Sequence, residues 1–295
     1  MAIRLIPFVV FLVAIAAVGI AAADRFRSRK TSPPAAPDPS RGRRRIVRWG
    51  FGLIGIILAV ASAFSLGQRA IFLIAPLAIS GYVAGLLLGE LMMPSAPSGM
   101  VRRVSLDRRV FERYVQTRWV WVWRAAAGAA AAAVVAAGLA GGSDGRSLTL
   151  ACANGTLSGG GPWPGWSYGG PALTALVLGA LLVELSMRRI VERPRPDSDL
   201  LGAAADEASR RASMRRVLAA GVAIGLAPLA GVLLSVASIF SFVCPAPGTL
   251  AWTGPLAVTL AILGFAAGLG AIASLASLIR IAETVGSVPP GGQRA

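Results

Sequence analysis

Along this chain, apolar runs of about twenty residues alternate with short segments dense in arginine. A helix needs roughly 20 apolar residues to cross the hydrocarbon core of a bilayer, within a range of about 17 to 25. Seven runs qualify: Leu5–Ala23, Trp49–Leu66, Ala70–Gly89, Val120–Gly141, Pro171–Met187, Val217–Val243 and Leu256–Ile279. The pattern predicts an all-α polytopic membrane helix bundle of about seven transmembrane helices. The fifth run contains Glu184, and the fourth carries Arg124 one turn inside its start, where a long side chain must snorkel toward headgroups.

Three parts follow from that division. Residues 1–23 form a first transmembrane helix. Residues 24–48 form a basic linker whose Pro33, Pro34, Pro37 and Pro39 make it extended. Residues 49–295 form a bundle of three helical hairpins, 49–90, 119–187 and 217–283. Glycines spaced four apart, Gly81-Gly85-Gly89, Gly221-Gly225 and Gly264-Gly268, give smooth helix faces that suit packing inside the bundle. Pro76 and Pro228, within the third and sixth runs, predict kinks.

The cations orient the bundle. With the linker after the first helix on the cytoplasmic side, 26 of the 29 lysines and arginines lie inside, and only Arg4, Arg69 and Arg146 lie outside. This positive-inside bias puts the N-terminus outside and the C-terminus inside. Trp49, Trp119, Trp121 and Trp123 then fall at inner boundaries, and Trp163, Trp166 and Trp252 in or near outer ones, as amphipathic indoles should. Ala21-Ala22-Ala23 before Asp24 also resembles a signal-peptide cleavage site. Cleavage there would place nine cations outside and invert every later loop, so the first helix is read as retained.

Composition sharpens the class. The 295 residues are 55% hydrophobic and 14% charged, with a mean hydropathy of +0.68. Soluble chains carry about 25% charged residues. There is no His and there are two Cys, which excludes His-based zinc sites, Ser-His-Asp triads and Cys-His dyads within this chain. Twenty-eight arginines against a single lysine, Lys30, point to a GC-rich bacterial genome and hence a bacterial plasma membrane. The sequon Asn154-Gly155-Thr156 is then a chance match. A net charge of +16 suits nucleic acid in principle, but each charge block abuts an apolar run, the pattern of stop-transfer segments, so no nucleic-acid partner is expected.

Two basic segments read as amphipathic helices. Ser105 caps a helix to Arg118 whose Leu106, Val110, Phe111, Tyr114 and Val115 share a face. The stretch from Asp199 to Arg216 places acids early and arginines late, in keeping with the helix dipole. Cys152 and Cys244 both fall on the outer side and are expected to form a disulfide there.

A faint echo links GLLLGEL (Gly85 to Leu91) with GALLVEL (Gly179 to Leu185), and RRVSLDRRV from Arg102 with RRASMRRV from Arg210. It makes Glu90 and Glu184 related positions. Glu184 is an acid set within an apolar run, one turn from its inner boundary, which raises ion or proton transport. Its spacing to Arg188 favours a structural pair on one helix face instead. Ser105 and Ser213 sit in RRxS strings like those of basophilic kinase substrates, where phosphate would weaken attraction to anionic lipid. A stop-transfer cluster with a capping serine explains them more simply.

Arg102-Arg103-Val104-Ser105-Leu106 with Tyr114-Val115, and the Ala-rich segment from Leu200 to Arg216, resemble uncharacterised multi-pass membrane proteins of high-GC actinobacteria. That resemblance covers about a third of the chain and implies a membrane bundle without an assigned activity. With no nucleotide loop, dinucleotide fingerprint, nucleophile elbow or HExxH string, no enzyme and no cofactor are expected. The leading reading is a non-enzymatic accessory or interaction subunit whose basic cytoplasmic loops contact anionic headgroups or a cytoplasmic protein partner. The alternative is a small permease or transporter subunit with a site near Glu90 and Glu184.

Overall fold

The computed structural model describes residues 50–61, 73–91, 114–160, 162–192, 200–244 and 250–286. In chain order the helices are α1 (Gly50–Ala61), α2 (Ile74–Leu91), α3 (Thr117–Ala140), α4 (Trp166–Glu192), α5 (Leu200–Phe242) and α6 (Thr253–Gly286). Between α3 and α4 lies a two-stranded antiparallel hairpin, β1 (Leu148–Ala151) with β2 (Leu157–Gly160). Five of the helices, α2 to α6, are long and apolar enough to cross a membrane, and α1 is shorter. The run Leu5–Ala23 and the linker 24–48 lie outside the described residues.

Helix boundaries depart from the apolar runs in instructive ways. α2 begins at Ile74, with the Leu77 amide donating to Leu73 O, so Pro76 falls in the first turn. There its missing N–H costs nothing, and no kink is required of it. Pro228 does lie mid-helix, in α5. The separate interfacial helix expected over Asp199–Arg216 is instead continuous with the following span. No glycine, proline or capping residue interrupts Arg215-Arg216-Val217, so one helix of 43 residues runs through. At 1.5 Å per residue it reaches about 65 Å, roughly twice the hydrocarbon thickness, and must project from the bilayer. Before α3, Tyr114–Gln116 form a turn rather than the end of a helix, Gln116 is extended, and Tyr114 and Val115 are buried in the core.

Successive long helices run antiparallel, and glycines set their approach. A Cβ on Gly81 of α2 would lie 2.5 Å from the Cα of Gly55 on α1, and one on Gly225 of α5 would lie 2.8 Å from the backbone of Ala126 and Ala127 on α3. Gly264 of α6 likewise faces Leu234 of α5. Gly81, Gly225 and Gly264, one glycine from each spacing, are thus packed inside the chain, where absence of a side chain lets helices close up, whereas nothing lies within 4 Å of a Cβ built on Gly89.

The core forms two stacked layers. One gathers Val83, Trp123, Val183, Met187, Ile190, Met214, Val217 and Ile224 from α2 to α5. The other gathers Val134, Ala137, Tyr168, Val232 and Ile239 with Leu148 and Trp163 from the connecting loop. Trp123, expected at a boundary, is 1% exposed and belongs to the first layer. It fits because Gly221 leaves room: a Cβ there would come within 3.0 Å of the indole.

Candidate functional site: the two ends of the bundle

Polar groups concentrate at the end where α2 and α4 finish and α3 begins. Arg124 of α3 and Glu184 of α4 form a two-point ion pair, with Nε donating to Oε1 at 3.0 Å and Nη2 donating to Oε2 at 3.2 Å. Such fork-to-carboxylate geometry is the strong form of the interaction. Glu184 therefore reaches across to the neighbouring helix and makes no ion pair with Arg188, which is exposed. The i,i+4 spacing alone favoured Arg188, but a partner on a packed helix meets the carboxylate from the front and binds both oxygens.

On α5, Arg210 is 1% exposed and its Nε donates to Asp206 Oδ2 at 2.7 Å. Its Nη1 donates to Ile190 O at 3.2 Å. Ile190 lies in the last turn of α4, where backbone carbonyls lack intrahelical partners. One buried guanidinium thus caps α4 from α5, and the paired acid keeps its charge compensated. Arg211 pairs with Glu207 in the same i,i+4 fashion on the exposed side.

The Ser213 hydroxyl donates to Glu90 Oε1 at 3.2 Å and joins α5 to the end of α2. Glu90 and Glu184, matched in the sequence echo, thus reach to different helices, α5 and α3. Ser105 and the RRVSLDRRV string from Arg102 lie outside the described residues. Arg124, Arg210 and Ser213 make interhelical polar contacts here, although residue-by-residue reading did not single out Arg210. The signal was present in the doubled spacing Asp206/Arg210 and Glu207/Arg211. Among the described residues, no group of three or more His, Cys, Asp or Glu is placed to hold a metal ion.

The opposite end is capped covalently. Cys152, just past β1, forms a disulfide with Cys244, just past α5, with a Cα–Cα distance of 5.4 Å. Cys244 has a left-handed backbone, φ +55°, and its amide donates to Ser158 Oγ. Inside the hairpin turn Asn154 Oδ1 accepts from the amide and hydroxyl of Thr156. Trp163 is buried, donates from Nε1 to Ala137 O at 2.7 Å and meets Phe240 edge-on. Asp144 organises the preceding loop, its Oδ1 accepting from the amides of Arg146 and Ser147. The Arg146 amide first, and then the Ser147 amide and hydroxyl, hold the Asp144 carboxyl below the usual carboxylate range.

A half-open crevice of about 240 Å³ lies between α2 and α5, lined by Ala75, Pro76, Ala227, Pro228, Gly231, Leu234 and Ser235. Its lining is almost wholly apolar and offers no ionisable group. Chemically, then, these polar groups act as clasps: Glu90 joins α2 to α5, Glu184 joins α3 to α4, and the Arg210 guanidinium joins α5 to α4. The apolar length of five helices, the glycine-mediated packing and the segregation of charge define a multi-pass integral membrane protein. No protein-family model matches the chain, and no curated protein or solved structure proves similar to it.

Proposed function

We propose that the chain is a non-enzymatic accessory or interaction subunit of a bacterial plasma membrane, with about seven spans and its charged end in the cytoplasm. The observation that carries this reading is the distribution of charge along the bundle. Glu184 and Asp206 are each engaged by an arginine, while Arg188 and Arg211 lie exposed at the same end, Arg211 with one nitrogen on Glu207. The bundle's middle is closed by Val83, Ala130, Leu176 and Ile224, each at most 3% exposed. An exposed basic rim on a closed apolar shaft suits attachment to anionic headgroups or to an acidic cytoplasmic protein. The same charge bias supports an inward-facing C-terminus and an outward-facing disulfide cap.

Purification of the full chain from its native membrane, with surrounding lipid retained, tests the reading. Anionic lipid or a defined cytoplasmic protein should accompany it and be lost on Arg188→Gln with Arg211→Gln. A solute-uptake defect caused by Glu184→Gln, with the protein still folded, would replace it with the transporter reading.

A further inference from the structure

The Arg124–Glu184 pair lies on the outside of the bundle. Arg124 is 49% and Glu184 29% exposed. Trp121, itself 63% exposed, precedes Arg124 by three residues, so the pair sits about 4.5 Å further along α3 than an indole of the kind that marks a membrane boundary. Arg124 uses two of its five N–H donors on Glu184. The remaining donors, and half of the carboxylate's acceptor capacity, are left over from that two-point contact, on a pair that is part-exposed on the bundle's exterior.

The helix face that continues from this pair differs from the other outward faces. α1, α4 and α6 present large apolar side chains to the exterior, among them Ile57, Leu181 and Ile262. α3 exposes Trp119, Trp121 and Val122 near its start and Leu139 at its end, and none of the exposed large hydrophobic residues lies between them. In that interval Ala125, Gly128 and Ala132 are exposed, and nothing lies within 4 Å of a Cβ built on Gly128. Acyl chains are served equally well by leucine, whereas a smooth face allows another helix to approach closely.

We infer that this α3–α4 face is the interface with a second copy of the same chain. Charge complementarity selects that occupant. Two copies inserted in the same sense are related by a twofold axis along the membrane normal, which holds equivalent residues at one depth. Arg124 of each copy then meets Glu184 of the other, and the two pairs close into an alternating ring of four charges. The same rotation lays exposed Leu181 of α4 against the smooth face of the other copy's α3. The donors left over in one copy are the complement of the acceptors left over in the other.

The test uses the full chain in lipid vesicles, followed by dilution with added lipid. Ala132→Cys should give a disulfide-linked dimer on mild oxidation, and Ile262→Cys on α6 should not. Gly128→Leu starts from a Cβ with nothing within 4 Å in the single chain and should weaken dimerisation roughly three- to tenfold, the range expected for one interhelical contact. Arg124→Glu should do the same, and Arg124→Glu with Glu184→Arg should restore the dimer. Persistence of the Cys152–Cys244 bond reports that each variant has folded. A chain that stays monomeric at all dilutions overturns the inference. So does an Ala132→Cys crosslink formed within one chain, equal crosslinking at positions 132 and 262, or a tightly held anionic lipid lost on Arg124→Glu in a monomer.

Discussion

Ser213 of α5 donates a hydrogen bond to Glu90 at the end of α2, 123 residues away in sequence, and so ties these two helices at their charged end. With Arg124–Glu184 between α3 and α4, and Arg210 on Ile190 O between α5 and α4, it completes a pairwise clasp of four helices. The clasp explains why charges sit beside apolar shafts without opening a polar path through them.

The Arg124–Glu184 pair should behave as a unit. Removing either partner leaves the other's charge uncompensated near lipid, so Arg124→Gln and Glu184→Gln should each destabilise by roughly 1 kcal/mol. The double substitution should cost less than the sum. Denaturant titrations of the four proteins in one detergent supply the cycle, and strictly additive effects would show the pair to be uncoupled.

Glycine positions make an opposite pair of expectations. Gly225→Ala places a methyl 2.8 Å from the α3 backbone and should cost about 1–3 kcal/mol as α3 and α5 separate. Gly254→Ala meets nothing within 4 Å and should be neutral or slightly stabilising. Thermal denaturation in detergent distinguishes them, and equal effects would mean that α3 and α5 do not approach as described.

The covalent cap should stabilise one end selectively. The Cys152–Cys244 bond closes a segment of 92 residues. Its loss in Cys152→Ser with Cys244→Ser should cost about 2–4 kcal/mol, a figure set mainly by restriction of the unfolded chain. Hydrogen exchange should quicken in β1 and β2 while amides around Met214 and Ile190 keep their protection. Uniform quickening would show that the cap governs the whole bundle.

Asp144 gives a pH dependence with a definite sign. Its carboxyl is held below the usual value near about 3.9, chiefly by the Arg146 amide. A group whose folded pKa is lowered contributes above its unfolded value and loses that contribution as pH falls through the folded one. Protection of the Arg146 and Ser147 amides should thus be flat near neutrality and vanish only in acid below the ordinary carboxylate range. Asp144→Asn keeps an acceptor and should make the loop insensitive to acid. Loss of protection already near pH 5 in the parent chain would contradict the assignment.

Much of this architecture was legible in the sequence because bilayer crossing imposes a length. The apolar runs around Ile79, Val134, Leu176, Ile224 and Ala267 are all helical. The opposite placement of the charged and cysteine-bearing ends could likewise be read, since cations and thiols are set by chain order alone. Three features could not be read locally. Burial of Trp123 depends on Gly221, nearly a hundred residues away, which no periodicity reveals. Glu184 chose Arg124 over Arg188 because helix packing, not helix spacing, decided which guanidinium met both oxygens. The β-hairpin was signalled by Asn154-Gly155 between Leu148-Thr149-Leu150 and Leu157-Ser158, yet strands of four residues are easily lost beside apolar runs five times their length.

The central proposal is that this multi-pass bundle keeps its arginine-rich end in the cytoplasm and its disulfide cap outside. Membrane-impermeant maleimide labelling of two single-cysteine variants in intact cells tests it most directly, with the native Cys152–Cys244 bond left oxidised. Leu157→Cys on the cap should label in intact cells, and Arg211→Cys at the charged end only after the membrane is opened. Labelling of position 211 from outside, with position 157 protected, would contradict the account.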